Sequence, residues 1–253
     1  MEPDEEFYPE ELSFPVTAFL RIASPESDDL PITQAVLELH DPLDHSSVQL
    51  ASTIVPLETD LSTPLAHTLS NPSLDDTKLS TLGLLMPEKA EDLRGLYMLE
   101  PFQPDKIPVL MVHGLWSSPV TWMEMFNDLR SDPVIRKHYQ FWFYLYPSGQ
   151  PFWFSAANLR EDLAHMRAKL DPQHQYAALD QTVLVGHSMG GLVSKLQTID
   201  SGNSFWNVLS EKPFAELQAE EEVRTGLART FFFQPRTLVR RVVRLETPHR
   251  GSD

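Results

Sequence analysis

From residue 107 onward, short apolar runs alternate with amphipathic stretches. Residues 107–113, 141–146, 182–185 and 239–245 are predicted strands. Runs such as Val109-Leu110-Met111-Val112 lack polar alternation, the pattern of strands buried on both faces of a parallel sheet. Between them, residues 122–129 predict a helix closed by Ser131-Asp132-Pro133. Leu159, Leu163, Met166 and Leu170 recur at spacings of four, three and four. That is one apolar helix face, with Arg160, Glu161, Asp162, Arg167 and Lys169 turned outward. A further helix is predicted from residue 189 through Ile199. Strands alternating with helices predict an α/β fold, a mostly parallel sheet with helices on both faces.

Residues 12–100 read differently. Residues 14–22, 35–40 and 48–57 predict strands, with a turn at Asp41-Pro42-Leu43-Asp44. A helix is expected to begin near Leu61-Ser62-Thr63-Pro64, where proline falls in the first turn. Residues 70–92 are rich in Ser, Asp and Pro around an apolar patch at 82–86. The expected organisation is a disordered acidic tail over 1–11, a small β-rich region over 12–100 and an α/β domain over 101–253. Residues 200–237 form a long insertion into that domain, lid-like in its placement. Its aromatic residues, Phe205, Trp206, Phe214 and Phe231-Phe232-Phe233, either line an acyl pocket or dock the insertion on the core.

Charge sharpens the division. The net charge of −16 lies in the first hundred residues, which hold 20 Asp and Glu against 4 Lys and Arg. The remainder holds 16 of each. The acidic balance argues against nucleic acid as a partner. The chain has no cysteine, so it has no disulfide framework and no thiolate metal site. No signal peptide is visible at the acidic N-terminus, and no apolar run approaches the length of a membrane span. The compartment is left open.

The chemistry is concentrated at Val185-Gly186-His187-Ser188-Met189-Gly190-Gly191. An apolar run, Gly-x-Ser-x-Gly, then helix formers is the pattern of a nucleophile elbow. The serine sits on a sharp strand-to-helix turn, and Gly186 and Gly190 keep that crossing open. Ser188 needs a base to take its proton and donors to hold the oxyanion that forms on attack. The backbone N–H of Met189, at the start of the helix, is one expected donor. The second is the N–H of Leu115, in the loop His113-Gly114-Leu115-Trp116. Gly114 lets that loop turn inward, and His113 is expected to support it. His187 is expected to pack or hydrogen-bond. The base is not evident. His249 is the only histidine after Ser188, and Asp200 and Asp253 are the only aspartates. Triad order on this fold is Ser, then Asp or Glu, then His. Asp253 falls after His249, Asp200 lies at the end of the elbow helix, far from the sheet edge that carries the acid, and His249 follows its strand too early in the sheet.

These stretches, together with Glu246-Thr247-Pro248-His249-Arg250-Gly251-Ser252, resemble the α/β-hydrolase superfamily. The likeness is to lipase- and esterase-like proteins of the PGAP1-like and DUF676-like branch, and it spans about residues 105–253. The resemblance implies hydrolysis of an ester or lipid ester through an acyl-enzyme on Ser188, with no metal and no cofactor. It implies Leu115 and Met189 at the oxyanion positions and excludes His249 as the base. The acid and base of such proteins would lie beyond residue 253, so the expectation is a C-terminally incomplete hydrolase, nearly inactive in isolation. Two alternatives stay open: a non-catalytic binding domain of the same fold, and acyl transfer through the same serine. The expected partner is a small ester or lipid substrate, with peripheral lipid contact through the aromatics of 205–233. The cut sheet is expected to leave residues 239–245 as an exposed apolar edge prone to self-association.

Overall fold

The computed structural model describes residues 4–9, 12–23, 34–70 and 75–249. The chain divides into two compact units, one formed by residues 11–71 and the other by residues 1–10 with 72–253. The division therefore falls at residue 71, not near residue 100 where the charge changes. Residues 75–100 belong to the larger unit because their backbone is bonded into it. The Gly149 N–H donates to the Gly83 carbonyl at 2.8 Å, and residues 95–98 join the main sheet. Charge reported where carboxylates are plentiful, while backbone pairing decides where a unit ends.

The smaller unit contains two antiparallel hairpins and one helix. Strands β1 (Thr17–Ala23) and β2 (Gln34–His40) pair with each other, as do β3 (Ser47–Leu50) and β4 (Thr53–Pro56). Helix α1 (Ser62–Leu69) follows. Asp60 accepts from the N–H groups of Ser62 and Thr63, which satisfies donors free at its first turn. Among its described residues, Val48, Leu57, Leu61 and Leu65 are buried aliphatic side chains. The strand expected over 48–57 is a hairpin instead, because the chain reverses at Ala51, a residue with positive φ.

In the larger unit, helices α2 (Asp76–Leu85) and α3 (Pro87–Ala90) lead into strand β5 (Gly95–Met98). Then come β6 (Ile107–Val112), α4 (Met123–Ser131), α5 (Pro133–His138), β7 (Tyr139–Leu145) and α6 (Phe152–Leu170). Strand β8 (Thr182–His187), α7 (Met189–Lys195), α8 (Ser204–Leu209), α9 (Glu221–Phe231) and β9 (Val239–Leu245) complete it. The sheet order is β5-β7-β6-β8-β9. β5 is antiparallel to β7, and every other pairing is parallel. The expected α/β class, a mostly parallel sheet with helices around it, is what the structure has.

The central strands are apolar throughout because both faces are covered. Leu110 and Val112 of β6 are fully buried, as is Tyr144 of β7, in one cluster with the Leu159, Leu163 and Met166 face of α6, while Met111 is fully buried on the other face of the sheet. Residues 4–8, expected to be disordered, form a 3-10 turn over Glu5–Phe7 that inserts Phe7 into this core. Phe102 donates its N–H to the Tyr8 hydroxyl at 3.2 Å. One buried aromatic outweighs the acidic residues around it. The remaining tail positions, 1–3 and 10–11, lie outside the described residues. Among the described residues, no helix is long and apolar enough to cross a membrane.

Candidate active site

Ser188 stands at the turn between β8 and α7 with φ 50° and ψ −121°. A non-glycine residue at positive φ carries strain of about 1–3 kcal/mol and persists only where its surroundings enforce it. Here the enforcement is visible on both sides. The Ser188 N–H donates to the Leu245 carbonyl at 2.8 Å, tying the turn to the end of β9. The Gly191 N–H donates to the Ser188 carbonyl at 3.1 Å and starts the helix. A Cβ on Gly186 would lie 2.5 Å from the Gly190 carbonyl oxygen, and one on Gly190 would lie 2.2 Å from that of Val112. Both positions are closed to any side chain.

The loop of residues 113–116 meets the turn at Ser188 directly. A Cβ on Gly114 would sit 3.0 Å from Ser188 Cβ and 3.2 Å from His187 Nδ1. The backbone of residues 113–115 is therefore packed against the serine. Among the described residues, neither the Leu115 nor the Met189 N–H donates to a backbone carbonyl outside the regular helices and strands. Trp116 follows at φ 51°, again in the left-handed region, and its N–H donates to the buried Ser148 hydroxyl at 3.1 Å. That bond fixes the loop from the far side. It also displays the Leu115 and Trp116 side chains to solvent, 54% and 66% exposed.

His113 is wholly buried under this loop. Its Nδ1 is 2.9 Å from the Gly114 carbonyl, and its Nε2 lies 3.4 Å from the Tyr146 N–H. Nδ1 thus donates and Nε2 accepts, which is the neutral imidazole. The Tyr146 hydroxyl donates to the His113 carbonyl at 2.8 Å, and the two rings stack with centres 4.4 Å apart. Burial pulls the His113 pKa down to about 4, against the opposing pull of the Gly114 carbonyl. His113 is thus a neutral, enclosed group bonded to both the loop and Tyr146.

His187 edges onto Trp122, ring centres 6.3 Å apart and planes at 90°. Its Nε2 is 3.5 Å from Oε2 of Glu246, a residue that also has φ 50°. No spacing in the sequence signals this imidazole–carboxylate pair. It arises because the turn after β9 folds back over the elbow, with Thr247 against Gly191. His249 is exposed, and its N–H donates to the Thr247 carbonyl at 2.9 Å. Asp200 accepts from Gly202 and Gln234. Residues 250–253, including Asp253, lie outside the described residues. Among the described residues, no imidazole is hydrogen-bonded to the Ser188 hydroxyl.

Helix α7 ends at Lys195, short of the expected Ile199, and closes in tight turns from Gln197 to Ser194 and from Thr198 to Lys195. In the insertion, Trp206, Phe214 and Phe232 pack on one another, with Trp206–Phe214 centres 5.0 Å apart. Phe205 and Phe231 instead line a cavity. Among the described residues, no cluster of three His, Asp or Glu is placed to hold a metal ion.

A mostly parallel sheet in which β8 leads into a strained serine, faced by a glycine loop from the neighbouring β6, is the arrangement of a hydrolase fold. The sequence model of the Alpha/beta hydrolase family matches residues 109–248, and the chain belongs to that family. No curated protein and no solved structure matches it.

Proposed function

We propose that the protein is a serine esterase acting through an acyl-enzyme on Ser188, with carboxylic or lipid esters as substrates. The observation that carries this reading is the packing of Gly114 against Ser188. That close approach supports the Leu115 N–H, next along the loop, and the Met189 N–H, next after the serine, as the oxyanion donors. Attack by the serine oxygen on the ester carbonyl would move charge onto the carbonyl oxygen, which those two groups would receive. Losing one such donor costs about 100- to 1000-fold in turnover. The likeness to the PGAP1-like and DUF676-like branch supports an ester or lipid ester, and the exposed Leu115 and Trp116 offer apolar surface next to the serine.

The same geometry sets the expected rate. Without an imidazole bonded to Ser188, turnover is expected to fall on the order of a million-fold below a complete triad. It would remain about a thousand- to ten-thousand-fold above water. Hydrolysis of p-nitrophenyl butyrate tests this. The chain should turn over slowly, and imidazole added from solution should raise its rate more than that of Ser188→Ala, by standing in for the general base. Equal rates for the two proteins at every imidazole concentration would overturn the assignment of Ser188. An ordinary enzymatic rate without imidazole, lost in Ser188→Ala, would instead make His187 or His249 the base.

The unbonded hydroxyl also favours a second reading, a non-catalytic domain of the hydrolase fold that binds an ester or lipid. Acyl transfer uses the same residues and differs only in the acceptor that reaches the acyl-enzyme.

A further inference from the structure

Between α6, α8 and α9 lies a cavity of about 340 Å³, within the range of small-molecule sites. Phe152 and Trp153 form one wall, Phe205, Val208 and Leu209 a second, and Phe231 the third. Ser204 is the only polar residue that lines it. Val208 and Leu209 are 85% and 56% exposed, so apolar side chains stand at the open rim.

The flank of this cavity is basic. Arg229, near the end of the helix that carries Phe231, has its guanidinium 5.2 Å from the centre of the Phe154 ring and donates to Asn158 Oδ1 at 2.8 Å. Arg160 lies 3.9 Å over Phe233, which packs on the cavity residue Phe205 with ring centres 5.6 Å apart. Arg160 donates to the Arg229 carbonyl at 3.3 Å, and Arg236 donates to the Arg160 carbonyl at 3.0 Å. Among the described residues, Glu161 is the carboxylate paired with this group, 2.7 Å from Arg229. Arg160 is 4% exposed, and burial together with the charges of Arg236 and Arg229 draws its pKa down to about 10. It remains a cation at neutral pH. Arg160 Nη1, Arg229 Nε and Arg236 Nε are buried without a hydrogen-bond partner among the described residues. Three crowded guanidinium groups with one carboxylate and unmet donors form a site of positive potential that an anion would relieve.

The two features lie along one helix. Trp153 and Arg160 are seven residues apart on α6, on one face and roughly 10 Å apart along the axis. We propose that the cavity and its arginine flank form a non-covalent site for a single-chain anionic amphiphile, specifically a fatty-acid carboxylate. Its alkyl chain lies among the aromatic walls and its head lies at Arg229. An uncharged chain would satisfy the walls and leave the arginines unrelieved. A small inorganic anion would do the reverse. The site goes beyond the ester-hydrolase reading and does not depend on it, although a fatty acid is what ester cleavage would release.

Isothermal titration of the 253-residue chain with decanoate and with 1-decanol tests the proposal. Decanoate should bind saturably at one site. Leu209→Asp, which places a charge on an exposed apolar rim without disturbing the core, should weaken it by about tenfold or more. Arg229→Gln should weaken decanoate roughly fivefold and leave decanol unchanged. Ser188→Ala should bind decanoate as the parent does. No saturable decanoate binding, or equal affinity in Leu209→Asp, would overturn the site. So would equal losses for decanoate and decanol in Arg229→Gln. Sedimentation with phosphatidylglycerol vesicles in the absence of decanoate binding would replace it with a bilayer contact. Decanoate binding and Ser188 acylation are read separately, so either can fail while the other stands.

Discussion

Strand β8, which leads into Ser188, has two neighbours, and they could hardly be less alike. On one side β6 is sealed, with Leu110, Met111 and Val112 fully buried. On the other, β9 keeps only Val239 buried, while Arg240, Arg241, Val243, Arg244 and Leu245 are all exposed. The strained serine is thus held rigidly from the inner side by packing and glycine contacts. From the outer side it is held by the β9 ladder and one backbone bond to Leu245. The loop of residues 113–116 belongs to the sealed side, and the His187–Glu246 pair belongs to the open one. The difference teaches where the site is built to stay fixed and where it depends on what lies alongside.

Matched glycine substitutions break this comparison most sharply. A Cβ at Gly190 meets the Val112 and His113 carbonyl oxygens at 2.2 and 2.3 Å, and backbone on the sealed side cannot step aside. Gly190→Ala is therefore expected to destabilise by about 3 kcal/mol in urea unfolding. A Cβ at Gly191 meets the Thr247 side chain at 1.9 Å, and that side chain belongs to the open turn. Gly191→Ala should cost about 1 kcal/mol. Equal losses would mean that the two sides are equally rigid.

Acid should also act on the sealed side. His113 has a folded pKa of about 4, below the usual value of 6.5. The unfolded chain therefore binds the proton first, and stability falls as pH drops from about 6.5 toward 4, by about 3 kcal/mol in all. Above pH 6.5 this contribution is fully present and flat. His113→Asn should remove that slope, as measured by the midpoint of thermal unfolding across the pH range. A slope that survives the substitution would assign it to other groups.

Smaller effects separate the loop from the edge. Ser148→Ala removes the acceptor of the Trp116 N–H and should cost about 1–2 kcal/mol. Val243→Lys lies on the open strand and should change stability by less than about 0.5 kcal/mol. It should nevertheless reduce self-association in light scattering, because a charge blunts an exposed edge. The three arginines already on β9 do part of this work, so the edge is less uniformly apolar than its strand pattern suggests.

The sealed side was also the legible side of the sequence. The runs at 107–113, 141–146 and 182–185 declare buried strands because burial on both faces leaves no room for polar residues. Gly-His-Ser-Met-Gly and His-Gly-Leu-Trp declare their turns because only those backbones fit there. Spacing could not reveal β5, a four-residue edge strand beyond an acidic stretch, or Phe7, a single aromatic in an acidic tail. Glu246 beside His187 was equally hidden, since it depends on how the chain turns after β9. The arginines around Arg160 read as solvent-facing positions on a helix, and only the return of residues 229–236 encloses them.

The most direct test of the account is intact-protein and peptide mass spectrometry after exposure to p-nitrophenyl butyrate, with and without imidazole. The account predicts a single butyryl adduct on the peptide carrying Ser188, more abundant with imidazole and absent from Ser188→Ala. An adduct elsewhere, or none at Ser188 under either condition, would contradict the claim that this serine is a nucleophile.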